Sequence, residues 1–379
     1  MLKKSIKFNC IYFDGARPCR FKTVCNNCHF YEAREKRILI IKFASAGDVL
    51  RTTAILPAIR NKYPNSHLTW LVHDSASGIL TDNRHIDRIL IYNLEALCLL
   101  MVEEFDLVIS LDKAKEAAAL ASLVKASKKC GFGLDKNGVI YPFNKESEYS
   151  FLLGLDNNLK FRKNKLTYQE MIFDIANLGY KNERSQMELS RKELEFADDF
   201  LKHHKINKRD TLIGINTGAG NTFANKFLKP DKIIELIKLL NKDMDAKIVL
   251  FGGPDEEKIN KYISKACGKK AINAGCHNSI KTFSALVSRC SAIVTADTLA
   301  LHIAVSLKVP VVALFGPTCP EEINLYNQGV KIVSDISCAP CYKKECSSVI
   351  TCMDKIGKIR IMESLKHILS KKARKKQEI

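Results

Sequence analysis

The chain has 379 residues and a mass of 42.7 kDa, more than one hydrophobic core usually serves, so two domains are expected. Hydrophobic residues make up 46% and charged residues 27%, a globular balance that excludes a largely disordered chain. Its longest apolar runs, such as residues 96–102, fall well short of the roughly 20 residues of a membrane helix. The 60 Lys+Arg against 41 Asp+Glu give a net charge of +19, a field that attracts nucleic acid, an anionic membrane surface or phosphorylated glycans, unless it is simply a solvated lysine-rich surface.

The first seven residues carry charge, but Asn9, Cys10 and Asp14 interrupt what would be an apolar signal core, so a cytoplasmic protein is expected. Residues 1–36 form a cysteine-rich segment. Residues 38–43 are a short continuous apolar run, the mark of a buried parallel strand. The loop Ser45-Ala46-Gly47-Asp48 follows, and then a helix that runs to Tyr63 and is stopped by Pro64. Strands are predicted at 67–72, 88–92 and 106–110 and an alanine-rich helix at about 113–127, a βαβ series that makes a first parallel-sheet domain of 37–165. From 144 to 208 the chain is polar, lysine-rich and helical in pattern, and 166–208 reads as the connection between lobes. A second series fills 209–357. Its strands fall at 212–216, 247–251, 271–272, 292–295 and 311–315, and its helices at 231–240, from 255, at 279–290 and at 298–307. In 358–379 an amphipathic stretch at 361–369 precedes the basic run 371–376 and reads as a membrane-surface helix or a frayed basic tail.

Doubly wound sheets hold ligands where loops leave the C-terminal ends of strands, and each motif below lies on such a loop. In Ser45-Ala46-Gly47-Asp48, Gly47 lets the backbone approach a ligand, and Asp48 is a candidate general base or a helix cap. The turns Asn216-Thr217-Gly218-Ala219-Gly220 and Gly252-Gly253-Pro254-Asp255-Glu256 offer backbone N–H groups to phosphates, although neither fits a Gly-x-Gly-x-x-Gly or Walker pattern. Lys226 is placed to neutralise a diphosphate, or is a surface lysine. In Thr295-Ala296-Asp297-Thr298-Leu299-Ala300-Leu301-His302, Asp297 and Thr298 fall at a helix N-terminus and His302 one turn in, facing the leaving phosphate or the acceptor unless it is structural. Asp243-Met244-Asp245 matches a metal-binding Asp-x-Asp, but it precedes a strand and lies at the wrong edge of the sheet.

These residues resemble bacterial ADP-heptose:lipopolysaccharide heptosyltransferases, glycosyltransferase family 9. The likeness runs through Ser45-Ala46-Gly47-Asp48-Val49-Leu50-Arg51-Thr52-Thr53, Thr217-Gly218-Ala219-Gly220 with Lys226, Gly252-Gly253-Pro254-Asp255-Glu256, Asp297-Thr298 through His302, and 310–318. The motifs match in order over about 37–357. The resemblance implies a GT-B fold, two Rossmann-like parallel-sheet domains facing a central cleft, and an inverting transfer that needs no cofactor or catalytic metal. It implies Asp48 as base, with His302 beside it. Donor binding would fall to Thr217, Gly218, Lys226, Gly252, Asp297 and Thr298, with Glu256 on the nucleoside ribose. The implied partners are a nucleotide sugar and a lipid-linked anionic glycan at the cytoplasmic face of the inner membrane, with the protein a peripheral monomer. Leu299 stands where many members carry Gly and bears on the sugar donated.

Two cysteine sets remain. Cys10, Cys19, Cys25 and Cys28 offer four thiolates with one Cys-x2-Cys knuckle, a structural zinc set. Cys338, Cys341, Cys346 and Cys352, which recur in many family members, make a second. Reduced loop cysteines or an iron–sulfur cluster are the alternatives. A basic zinc-containing nucleic-acid-binding protein would account for the charge and the cysteines, but would show aromatics interleaved with a clustered basic face, where this chain has one Trp and dispersed Lys, so no nucleic-acid partner is expected. A dehydrogenase or epimerase would want the absent Gly-x-Gly-x-x-Gly. An inactive nucleotide-binding relative is the remaining alternative.

Overall fold

A computed structural model describes residues 6–218 and 226–377, with side chains to Lys371. Ala219 and Gly220 of the first glycine-rich turn, and the side chains of 372–376, lie outside the described residues. Two six-stranded sheets organise the chain. The first contains β1 (Lys36–Ile41), β2 (Ser66–Val72), β3 (Arg88–Ile91), β4 (Glu104–Ser110), β5 (Lys125–Leu134) and β6 (Ile140–Pro142), in the order β3-β2-β1-β4-β5-β6. All its pairings are parallel except β5 with β6. The second contains β7 (Leu212–Asn216), β8 (Lys247–Phe251), β9 (Ile272–Asn273), β10 (Ala292–Ala296), β11 (Val311–Phe315) and β12 (Gly329–Val333), all parallel, in the order β12-β11-β10-β7-β8-β9. Both orders reverse beside the lobe's first strand, between β1 and β4 and between β7 and β10. That reversal opens a crevice at the carboxyl ends of the strands.

Ile38 through Ile41 and Val311 through Phe315 are completely buried, as a strand covered by helices on both faces requires. A large core reaches from one lobe into the other. It holds Ile38, Ile40, Val49 and Leu50 together with Leu286, Leu301 and Phe315. The Ala46–Thr52 helix packs on the Leu299–Ser306 helix, and the Ile280–Ser288 helix packs on Arg191–His203 of the connecting segment.

Three strands escape the sequence pattern. The helix predicted to 127 ends at Leu123, and β5 begins at Lys125. Its first half, Lys125-Ala126-Ser127-Lys128-Lys129, is polar and largely exposed, and only Cys130 through Gly133 are buried, so periodicity conceals it. β6 and β12 lie at sheet edges and lack an apolar run. The C-terminal helix, Lys358–Gln377, corrects the membrane-surface reading of its apolar stripe. Ile361, Met362, Leu365 and Ile368 are buried in the core of the second lobe, against the Pro230–Met244 helix and β11. No helix among the described residues is long and apolar enough to cross a membrane.

Candidate active site

A cavity of about 980 Å³ lies between the two sheets and is lined from both. Asp48 enters from the first lobe, in the first turn of the Ala46–Thr52 helix. Ser45, not Asp48, is the N-cap residue, so the carboxylate is left to the cavity. Its side chain keeps 38% of its exposure and is gripped from both flanks, by Lys42 Nζ at 4.0 Å from Oδ2 and by Arg51 Nη1 at 3.5 Å from Oδ1. Arg51 is itself fixed. Its Nη2 donates to the Glu322 carbonyl at 2.9 Å, and its guanidinium lies 4.0 Å from the centre of the Tyr168 ring. The Thr52 hydroxyl donates to the Asp48 carbonyl at 2.8 Å, and the Tyr168 hydroxyl lies 2.7 Å from the Thr52 oxygen.

At Gly47 the two lobes meet closely. A Cβ at this position would stand 2.8 Å from His302 Cδ2, across the crevice. The absent side chain is what lets the Asp48 loop approach the opposite helix.

On the second lobe, β10 ends in Asp297 and Thr298, and Thr298 is the N-cap of the Leu299–Ser306 helix. Thr298, Leu299 and Ala300 line the cavity, so the positive end of the helix faces it. Lys226 Nζ stands 3.7 Å from Asp297 Oδ2 and donates to the Asp297 carbonyl at 3.2 Å. His302 Nε2 lies 3.7 Å from Asp297 Oδ1. Burial raises the Asp297 carboxyl, but His302, Lys226 and Arg51 outweigh it and hold the group below its usual range. His302 is fully enclosed. Burial, followed by the Arg51 charge, pushes its pKa down to about 4 from 6.5, against the pull of Asp297 and Asp48. The imidazole is therefore neutral at physiological pH.

Between pH 6.5 and about 4 the unfolded chain binds a proton at this position that the folded chain refuses. The His302 contribution to stability is thus constant above that window and falls as the pH drops through it. NMR of the ring should show no titration of His302 across the neutral range. A midpoint at the ordinary histidine value would mean that the ring is solvated.

The glycine-rich turns form the other end of the second-lobe wall. Gly218, Gly252 and Glu256 line the cavity. A Cβ on Gly218 would meet the Glu256 side chain at 2.0 Å, so this glycine is what admits the glutamate beneath the loop. Gly253 N donates to Glu256 Oε2 at 2.7 Å. Thr217 is placed differently. It is completely buried, and its hydroxyl lies 2.9 Å from the Phe251 carbonyl and 2.5 Å from Asn260 Oδ1. It braces the loop from behind. Asp243 and Asp245 are exposed before β8, at the edge away from the crevice.

Several cavity residues escaped the sequence reading: Lys42, Asp112, Lys113, Lys160, Tyr168 and Glu322. Lys42 and Asp112 carried a signal, since each is a charge placed directly after a buried strand. Tyr168 and Lys160 carried none, because they come from the helical connection. Lys113 is pushed down to about 8 by burial, then by Lys160 and Lys42.

The two cysteine sets are arranged differently. All fourteen cysteines are free thiols, and no group of three or more His, Cys, Asp or Glu side chains among the described residues could hold a metal ion. Cys10, Cys19, Cys25 and Cys28 border one cavity of only about 20 Å³, crowded by Tyr12, Phe13, Phe21 and Phe30. Each begins its own backbone turn, to Phe13, Lys22, Cys28 and Tyr31 respectively. In the second set Cys352 is buried, its Sγ packed where a Cβ on Gly316 would sit, whereas Cys338 and Cys346 are exposed.

Two Rossmann-type sheets closing on one cavity, with a carboxylate on one wall and a cation and helix N-terminus on the other, make a two-lobed fold of the GT-B class with its ligand site in the cleft. Residues 99–350 match the model for glycosyltransferase family 9 (heptosyltransferase), and the chain belongs to that family of transferases. The lipopolysaccharide core heptosyltransferase OpsX of Haemophilus influenzae is 20% identical over 311 residues, 79% of this chain and 84% of that protein. Among solved structures, the family 9 glycosyltransferase of Veillonella parvula aligns with a TM-score of 0.72 at 18% identity, covering 89% of this chain and 98% of that one. ADP-heptose lps heptosyltransferase II of E. coli aligns with a TM-score of 0.66 at 18% identity, covering 89% and 99%.

Proposed function

We propose that this chain transfers a heptose from ADP-heptose, with inversion and without a catalytic metal, to an anionic lipopolysaccharide-core acceptor at the cytoplasmic face of the inner membrane. The observation that carries this reading is the opposition of Asp48 to the Asp297, Lys226 and Thr298 wall across one cavity. Asp48 takes the proton of the acceptor hydroxyl. That oxygen bonds to the anomeric carbon from one face while the bond to the diphosphate breaks on the other, releasing ADP. Lys226 and the N–H groups at the Leu299–Ser306 helix N-terminus meet the charge that develops on the leaving phosphate, the work a divalent ion would otherwise do. Glu256, under its glycine loops, is positioned for the nucleoside. Lys113 and Lys160, which line the cavity with Arg51, suit an acceptor bearing acid groups. The names of the relatives supply the donor and the glycan class.

Purified protein incubated with ADP-, GDP- and UDP-sugars should be stabilised against heat by the ADP-sugars. It should then transfer heptose to a deacylated core acceptor at a rate unchanged by EDTA. Stabilisation by UDP- or GDP-sugars alone would overturn the donor assignment, and loss of transfer in EDTA the metal independence.

A further inference from the structure

Lys42 places a charge directly after β1, next to the buried apolar run Ile38 through Ile41. Its side chain is 8% exposed, and its ammonium lies 3.4 Å from Asp112 Oδ2 and 4.0 Å from Asp48 Oδ2. Asp112 follows β4, the strand on the far side of the topological reversal, and both of its oxygens are committed. Oδ2 accepts from Phe43 N at 3.0 Å and Oδ1 from Ala114 N at 3.0 Å. The backbone of Lys42 is tied as well, its N–H to the Leu71 carbonyl and its carbonyl to Trp70 Nε1. A charge this well enclosed persists only when it is paired, and here one partner is structural and the other is the carboxylate that faces the substrate cavity.

We infer that Lys42, anchored by Asp112, is a positioning residue for Asp48, holding that carboxylate turned into the cavity. The inference rests on the reading of Asp48 as the base. Burial alone would depress the Lys42 ammonium, but Tyr168 once ionised, and the Asp48 and Asp112 carboxylates, raise it, so Lys42 is a cation at neutral pH. The other groups facing Asp48 act differently. Arg51, on the same helix, keeps Nη1 3.5 Å from Asp48 Oδ1 while the Glu322 carbonyl holds its Nη2, so it grips one oxygen and leaves Oδ2 to Lys42. Tyr168 is buried and held as a neutral phenol, and His302 is neutral. Glu322 is raised by burial and has the wrong sign to help. Lys113, beyond Lys42, keeps its ammonium on the Ser150 carbonyl.

Removing a cation beside a carboxylate raises the carboxylate pKa, so the acidic limb of the rate must move to higher pH. Lys42→Met should raise the protonation midpoint of Asp48 by about one pH unit. Because that variant leaves Asp112 as an unpaired buried charge, Lys42→Met combined with Asp112→Asn serves as the second test; it should also raise the midpoint, by less. The midpoint is read twice, from the acidic limb of kcat and from the carboxylate band in difference infrared spectra of the resting protein, with Asp48→Asn as the blank. Upward movement in both variants supports the inference. An unchanged midpoint in both, with or without a loss of rate, overturns it and leaves Lys42 a structural pair of Asp112. Absence of transfer in the wild-type protein, or near wild-type turnover in Asp48→Asn, would instead count against the proposed function or against Asp48 as its base, while the infrared midpoint would still decide the Lys42 contact.

Discussion

Asp48→Asn should lower turnover by about 10²–10⁴-fold, the range typical of a lost general base. Asparagine keeps the shape of the side chain but cannot accept the acceptor proton. Its amide oxygen can still accept from Lys42 or Arg51, which hold the carboxylate from opposite flanks at 4.0 and 3.5 Å, though not from both. Donor affinity should change little, because the diphosphate is assigned to the other wall, at Lys226 and the helix that starts after Thr298. Steady-state transfer, read by ADP release, beside calorimetric titration of ADP separates the two effects. Near wild-type turnover would remove Asp48 from the chemistry and leave it a surface partner of Arg51.

Lys226→Met should act on both quantities, weakening ADP binding and lowering turnover by about 10²–10³-fold, as expected for loss of a preorganised donor to developing charge. Lys226 is the cation that pairs with Asp297 at 3.7 Å, and the neutral His302 cannot take its place. The split between the variants is the informative result. Asp48→Asn spares the donor complex and Lys226→Met does not. A Lys226→Met protein with unaltered ADP affinity would show that the ammonium serves Asp297 alone.

Much of the site was legible before the fold was known, for a local reason. A loop between a buried strand and a helix must sit at a sheet edge, and glycine, Asp and Thr concentrate there because they turn the chain, cap the helix and meet ligands. Gly47-Asp48, Gly252 through Glu256, and Asp297-Thr298 all follow apolar runs, so their meeting in one crevice could be inferred from the alternation of elements. The same logic failed at β5, whose polar first half carries no period, and at Thr217, where position in a loop does not say which way a hydroxyl points.

The sequence by itself determined the two parallel sheets, the loops that bear the chemistry and the charges available there, because burial of a strand on both faces is written as a continuous apolar run. Tertiary structure alone decided the electrostatics. His302 is neutral because the first lobe closes over it and brings Arg51 near, and Asp48 is flanked by Lys42 and Arg51 because the end of β1 and a helix bring them together. It also decided that the apolar stripe of the last helix packs on its own lobe, a choice amphipathicity leaves open because membrane and protein core accept the same face. The cysteine sets show the same limit. Spacing proposes a ligand set, but whether thiols converge depends on turns and neighbouring rings that sequence distance does not record.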